Sequence, residues 1–372
     1  MKIAIEAQRI FRSNKHGMDF VALELVRELQ KLDKKNEYFI LVAPGDDRCL
    51  EESENFRIVE LRMPSYLLWE QVALPRAVKR IKPDILHCTS NTAPISGKAP
   101  LMVTLHDIIF LEKEATRNKS WYQRMGRIYR RLVVPRILPR CRKIVTVSEF
   151  ERQHILRFLN LPDELLQAVY NGYNQYFYPR EDISDVRQKY RLPEQYFFFL
   201  GNTDPKKNAP NVLKAYADYL KRSKIKKALV VADMSPEILS EILREKNCED
   251  IGSYIILPGY IRNSDLAFIY SGASVFLYPS LRESFGIPIL EAMACGTPII
   301  TSNSSAMPEI AGNGACLIDP FRAETITDAL LRYEEDPDYY QQQIAYGLER
   351  VKSFSWTKTA ENMLDIYQKI PK

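Results

Sequence analysis

Twice along the chain, short apolar runs alternate with longer stretches whose apolar residues recur at helical spacing, and between the two series lies a segment with no periodicity. The first series has runs at 3–7, 38–43, 56–61, 85–88, 101–105 and 143–147, with helical patterns such as 20–32 and 121–137 between them. The second has runs at 196–200, 228–232, 254–257, 274–278, 298–301 and 315–318. Strands buried on both faces read as near-continuous apolar runs. Their alternation with helices predicts parallel sheets covered on both sides. Two series therefore predict an α/β chain of two Rossmann-like, doubly wound domains, and 372 residues suit two domains of about 150 each.

The expected division is a first domain over 1–175 and a second over 190–354. The join at 171–193 holds an Asn-Gly turn signal, prolines and mixed charge. A closing amphipathic helix at about 355–372 is expected to pack back on the first domain. The six cysteines form no C-x-x-C pair and read as reduced core thiols. The first apolar run is too short for a signal peptide, and no run approaches about 18 apolar residues, so any membrane contact is expected to be peripheral. No G-x-G-x-x-G follows the first run, which argues against a dinucleotide oxidoreductase.

Charge is distributed unevenly. Between Glu114 and Glu149 no acidic residue occurs, while ten lysines and arginines fall between Arg117 and Lys143. That stretch is both basic and amphipathic. It predicts either a solvated basic face or contact with an anionic partner, membrane lipid rather than nucleic acid.

Two segments carry chemistry. The first is Tyr278-Pro-Ser-Leu-Arg-Glu283-Ser-Phe-Gly-Ile-Pro-Ile-Leu-Glu291-Ala-Met-Ala-Cys-Gly. It reads as a strand end, a loop and a helix that opens near Pro288 and stops at Gly296. Backbone N–H groups at such a helix start favour an anion. Glu291 falls inside a helix that is otherwise apolar, so its carboxylate needs hydrogen-bond donors. Vicinal sugar hydroxyls would supply them, as would a structural ion pair. The second segment is Phe199-Leu-Gly201-Asn-Thr-Asp-Pro-Lys206-Lys207-Asn208. Two lysines ahead of a helix start oppose its dipole unless an anion lies between them. A diphosphate would do so, and a turn with two exposed lysines is the plain alternative.

Together these segments resemble the retaining glycosyltransferases of family four, whose fold is GT-B, two such domains facing across a cleft. The likeness extends to Val145-Thr-Val-Ser148, Asn171-Gly172, Pro258-Gly-Tyr260, Met307-Pro-Glu309 and Phe354-Ser-Trp356. The resemblance implies that Lys207 contacts the donor phosphates with Lys206 beside it. It implies that Glu283 meets the transferred sugar and Glu291 the ribose. Backbone amides around Phe285, Gly286 and Ile287 would lie at the sugar and phosphates, and Ser284 and Tyr260 would also contact substrate. In the first domain, Gly17 falls where relatives carry a glycine loop, and His106 where the family often has a histidine in its cleft. The expected catalytic set is thus Glu283, Lys207 and His106. His16, His87 and His154 are read as structural, Ser148 with Glu151 as a capping box, and Asp336-Pro-Asp338 as a helix cap rather than a metal site.

The resulting expectation is a cytoplasmic, metal-independent enzyme without a cofactor, with any membrane contact peripheral and at the inner face. It would move a hexose from a nucleoside-diphosphate sugar, GDP-mannose by family likeness, to a saccharide or lipid-linked acceptor with retention. A nucleotide-sugar epimerase and a non-catalytic nucleotide-sugar-binding subunit are the alternatives.

Overall fold

A computed structural model describes residues 1–112, 121–201 and 204–370. The chain forms two compact units, Met1–Gly172 together with Trp356–Lys372, and Tyr173–Ser355.

The first unit is built on β1 (Lys2–Glu6), β2 (Glu37–Val42), β3 (Phe56–Glu60), β4 (Ile85–Cys88), β5 (Leu101–Thr104), β6 (Cys141–Thr146) and β7 (Leu166–Ala168). They make one parallel sheet in the order β3-β2-β1-β4-β5-β6-β7. β7 escapes the apolar-run reading because only Leu166 of its three residues is buried. Helices Gly17–Leu32 and Trp356–Lys369 cover one face together. Ala360, Met363, Ile366 and Tyr367 share a buried cluster there with Ile3, Ile5 and Val26.

The second unit carries β8 (Tyr196–Leu200), β9 (Ala228–Ala232), β10 (Ile255–Ile256), β11 (Val275–Tyr278), β12 (Ile299–Ser302) and β13 (Cys316–Ile318). Their order is β10-β9-β8-β11-β12-β13, again all parallel. Phe197, Phe199, Leu229, Val231, Val275 and Leu277 point into one continuous apolar cluster with helices Ala209–Arg222 and Ala323–Glu335. The apolar runs of the sequence fall on these strands, with ends shifted by a residue or two, as helix and strand boundaries usually are.

In both sheets the strand order reverses once, between β1 and β4 in the first unit and between β8 and β11 in the second. Beyond the carboxyl ends at such a switch point, adjacent loops diverge and leave a crevice where doubly wound sheets bind ligands. In the second unit those loops carry Lys206–Lys207 and Glu283. In the first they carry Glu6 and Thr89.

The basic stretch forms the helix Trp121–Ile137, and Arg117 and Lys119 lie outside the described residues. Its inner face is Val133, Val134 and Ile137. The outer face differs from a plain basic stripe. Trp121, Met125, Ile128 and Leu132 recur at helical spacing and stay exposed, Trp121 at 76%. Arg127 and Arg131 turn instead to backbone, each donating to the carbonyls of Phe110 and Glu112. Arg140 does the same at Pro94, Ile95 and Gly97. Much of the expected charge thus satisfies chain carbonyls. No helix among the described residues is long and apolar enough to cross a membrane.

Candidate functional site

β8 ends at Leu200, and at Gly201 just after it an added Cβ would come within 2.8 Å of the Phe199 ring and 3.1 Å of Val231. The chain then turns through Pro205–Lys207, one short 3-10 turn capped by Asp204, whose side chain accepts from the Lys206 N–H at 3.1 Å. Asn208 follows in the left-handed region at φ 65°. Its amide donates to the carbonyls of Pro279 at 3.1 Å and Pro320 at 2.6 Å. The Leu281 N–H donates to the Lys206 carbonyl at 2.7 Å. These bonds tie the lysine turn to the loop after β11.

The consequence is a fixed charge pair. The Lys207 ammonium donates to Glu283 Oε1 at 2.8 Å and to the Tyr278 hydroxyl at 3.0 Å. Both charged side chains are about seven-eighths buried, at 15% and 13% exposure. Burial works to raise the Glu283 pKa, but the Lys207 and Lys206 ammoniums overcome it, so the carboxyl is held below its ordinary range. The Glu283 N–H donates to Ser305 Oγ at 3.1 Å, which fixes the loop from its other side.

Beyond Glu283, Phe285 is buried and packs edge-on against Phe354. Ser284 is of intermediate exposure. Gly286 stands at φ 103°, a conformation only glycine adopts freely, and caps the helix Ile287–Ala294. Pro288 in the first turn and Gly296 at φ 73° just past the end give the start and stop read from the sequence. Glu291 has one protein partner, the Tyr270 hydroxyl, which donates to Oε2 at 3.2 Å. Burial raises its pKa to about 7. Among the described residues no lysine, arginine or histidine pairs with it. Tyr260 projects from a separate loop behind Gly259, 79% exposed.

The first unit presents a different edge. His106 is 6% exposed, and its Nε2 donates to the Thr89 carbonyl at 2.9 Å. That bond fixes the tautomer and leaves Nδ1 as an acceptor. Burial lowers its pKa, so the ring is neutral. Its backbone N–H donates to Asn91 Oδ1 at 2.6 Å. Gly17 opens its helix with ordinary backbone angles, and an added Cβ would meet nothing within 4 Å, so the fold does not demand glycine there. The basic loop before it is held by Lys15, which pairs with Asp47.

The remaining histidines sit in structural settings. His16 precedes the first helix, with its N–H donating to Asp19. His87 lies between Tyr367 and Thr104 at 2.6 and 2.7 Å. His154 approaches Glu112 at 3.4 Å. Ser148 accepts from the Glu151 N–H at 3.2 Å, and Asp336 caps its helix at Tyr339.

Three polar residues were not singled out from the sequence. Tyr278 ends an apolar run and looks like one more core aromatic. Glu6 could have been found as a lone carboxylate in the apolar run Ile3-Ala-Ile-Glu6-Ala. Glu70 gave no signal, because its partners come from three separate segments. It accepts from Tyr66 at 2.7 Å, Thr92 at 2.5 Å, Gln71 at 2.9 Å and Tyr129.

Comparison with known proteins decides the family. Residues 16–175 match the model of Glycosyltransferase Family 4, and residues 182–350 that of Glycosyl transferases group 1. The chain belongs to the family-four glycosyltransferases. It is similar to O-antigen chain mannosyltransferase B of Escherichia coli, 30% identical over 231 residues that span 60% of each chain. It is also similar to the serotype-specific mannosyltransferase WbdA of Escherichia coli, 28% identical over 61% of this chain but 29% of that one. The matched region thus covers less than two thirds of either relative. Among solved structures, sucrose-phosphate synthase from Thermosynechococcus elongatus superposes with a TM-score of 0.75 at 20% identity, covering 99% of this chain and 98% of the other. Anabaena Alr3699/HepE in complex with UDP and glucose gives 0.74 at 15% identity, covering 99% and 100%. These neighbours share the GT-B architecture of two parallel-sheet α/β domains.

Proposed function

We propose that this protein transfers a hexose from a nucleoside-diphosphate sugar to a saccharide or lipid-linked saccharide, with retention and without a metal. The observation that carries this reading is the Lys207–Glu283 pair with Lys206 beside it, held at the switch point of the second sheet. The leaving group is a nucleoside diphosphate, so negative charge grows as the glycosidic bond breaks. Preorganised cations stabilise that charge at no reorganisation cost. Lys207 and Lys206 would supply it, with the positive end of the Ile287–Ala294 helix behind them. Glu283 would accept from hydroxyls of the transferred sugar. Glu291, with one protein donor at 3.2 Å, has acceptor capacity left for the two ribose hydroxyls. His106 would offer Nδ1 to a substrate hydroxyl.

Among the described residues no second carboxylate stands as an evident nucleophile beside Glu283. Retention would therefore follow from acceptor attack on the leaving-group face, with a donor phosphate oxygen taking the acceptor proton. GDP-mannose is the favoured donor, because similar proteins are named O-antigen chain mannosyltransferase B and serotype-specific mannosyltransferase WbdA. Surface-polysaccharide assembly at the cytoplasmic face of a membrane is the setting that goes with it. The exposed Trp121, Met125, Ile128 and Leu132 with Arg124 alongside would rest peripherally on anionic lipid.

The test is a thermal-shift panel of GDP, UDP and ADP sugars, followed by transfer to a mannoside with EDTA present. A ligand at about 100 times its Kd adds roughly 2.7 kcal/mol. Shift and transfer with GDP-mannose support the reading. A shift with no donor sinks it, and turnover abolished by EDTA and restored by magnesium removes the metal-free part. Donor consumption without any acceptor would favour the epimerase, and binding without turnover the non-catalytic subunit.

A further inference from the structure

Tyr278, the last residue of β11, is 2% exposed. Its ring stacks on Phe276 at 5.7 Å, and its edge lies 3.8 Å from the position of a Cβ on Gly286. Its carbonyl accepts from Thr301 Oγ1 at 2.9 Å, so the backbone is held too. The side chain is therefore immobile, and its hydroxyl lies where the two loops of the switch point meet. Lys207 Nζ is 3.0 Å from that hydroxyl and 4.5 Å above the ring. Since the ammonium has only protons to give, the hydroxyl accepts from Lys207 and keeps its own proton for an acceptor. Glu283 is the acceptor at hand: it acts on the Tyr278 hydroxyl both as a charge and as a hydrogen-bond partner, and Glu291 acts on it through space.

A lysine needs such a fixture. Its four-carbon stem has many rotamers to lose, and its ammonium is a point charge without the fork geometry that aligns an arginine. A carboxylate partner alone would pull the ammonium towards Glu283, away from any second anion. The hydroxyl gives the ammonium a neutral partner that does not compete for its charge, and the ring face below adds a cation–π attraction. Lys207 is left with a proton for a third acceptor.

We propose that Tyr278 is the positioning residue of the donor site: its hydroxyl, shared between Lys207 and Glu283, sets where the ammonium meets a nucleoside diphosphate. This rests on the donor-site reading above. Tyr278 acts through Lys207 and touches no reacting atom.

The test is a double-mutant cycle on equilibrium affinity. GDP and UDP are titrated by calorimetry into the unsubstituted protein, Tyr278→Phe, Lys207→Gln and the double variant. Phe keeps the ring and its stacking. Tyr278→Phe is expected to weaken the tighter nucleotide about tenfold. Lys207→Gln should weaken it more, and the double variant should be no weaker than Lys207→Gln within twofold, because the hydroxyl has lost the group it positions. Steady-state kinetics should show the Tyr278→Phe loss in KM for donor and in kcat together. If the two factors multiply in the double variant, or Tyr278→Phe binds like the unsubstituted protein, the proposal is overturned while the donor site stands. If neither nucleotide binds the unsubstituted protein, the donor-site reading falls and the proposal with it. Should Tyr278→Phe fail to fold, 3-fluorotyrosine at 278 keeps ring and hydroxyl, changes only the acidity, and takes its place in the same cycle.

Discussion

Each unit carries a buried glutamate whose pKa burial raises to about 7, Glu6 on a strand of the first and Glu291 on a helix of the second. Titration alone does not distinguish them. Their partners do. Glu6 accepts from the backbone N–H of Gln8 at 3.0 Å and of Thr89 at 3.2 Å, one bond to each oxygen. It closes the end of its own strand. Glu291 has one hydroxyl at 3.2 Å and room for more donors. A shifted pKa marks a buried carboxyl, whereas unused acceptor capacity marks one that can take a ligand. The same contrast runs through the two edges: Glu70 is wrapped by four donors, while Lys207, bonded to Glu283 and Tyr278 on a stitched turn, keeps a third proton to give.

The comparison breaks most sharply at Lys207. Lys207→Ala should lower kcat/KM by about 10²–10³, the usual scale for losing one preorganised charge-stabilising donor, and weaken nucleotide affinity as well. Unchanged kinetics would move the phosphate site elsewhere. In the first unit the matching experiment should read stability instead. Glu70→Ala strands several buried donors and should cost about 3 kcal/mol in denaturant melts. Nucleotide affinity of the folded variant should hold, and a selective loss of affinity would place Glu70 in the binding machinery.

A smaller effect separates Glu6 from Glu291 directly. Both folded pKa values lie above the ordinary 4.5, so the folded state binds more protons than the unfolded one between pH 4.5 and about 7. Stability should therefore fall as pH rises through that window, by at most about 1.4 kcal/mol per unit for each group. Glu6→Gln and Glu291→Gln should each flatten the slope. Nucleotide affinity should respond to one of them alone. Ribose hydroxyls donate best to a carboxylate, so affinity should rise with pH up to about 7 and then level. A profile that stays the same in Glu291→Gln but flattens in Glu6→Gln would reverse the assignment. The least change is expected at the surface. Arg124→Gln should weaken binding to anionic vesicles about fivefold at low salt, since each basic residue there contributes about 1 kcal/mol. Cosedimentation that ignores lipid charge and salt would remove the membrane contact.

The second unit was legible because its chemistry imposes residue types at fixed spacing. A lysine pair after one strand, and two glutamates flanking a helix start after another, can be seen in one dimension. The strands were legible for a similar reason, since a parallel sheet buries whole runs. What stayed hidden depends on distant segments meeting. Tyr278 gains its place only when β11 lies beside β8. Glu70 draws its donors from Tyr66, Thr92 and Tyr129, and nothing in those segments announces the others. The arginines of Trp121–Ile137 looked free for lipid because a sequence does not show carbonyls. Arg127 and Arg131 bind those of Phe110 and Glu112, and the exposed apolar stripe emerged only with the helix in place.

The path of the backbone has a consequence for how the chain is made. The first unit comprises Met1–Gly172 and Trp356–Lys372, with Tyr173–Ser355 inserted between them. Its sheet is translated early, yet Tyr367, which bonds His87 at 2.6 Å, and its neighbours Ala360, Met363 and Ile366 leave the ribosome only after the whole inserted unit. Until then the part of the sheet face beside helix Gly17–Leu32 is open, and fully burying each large apolar side chain contributes about 1.5–3 kcal/mol. Vectorial synthesis ordinarily favours the N-terminal domain. Here the order is inverted: the inserted unit can fold on the ribosome while the first waits for its lid. A nascent chain arrested before residue 356 should be protease-resistant over Tyr173–Ser355 and sensitive before it.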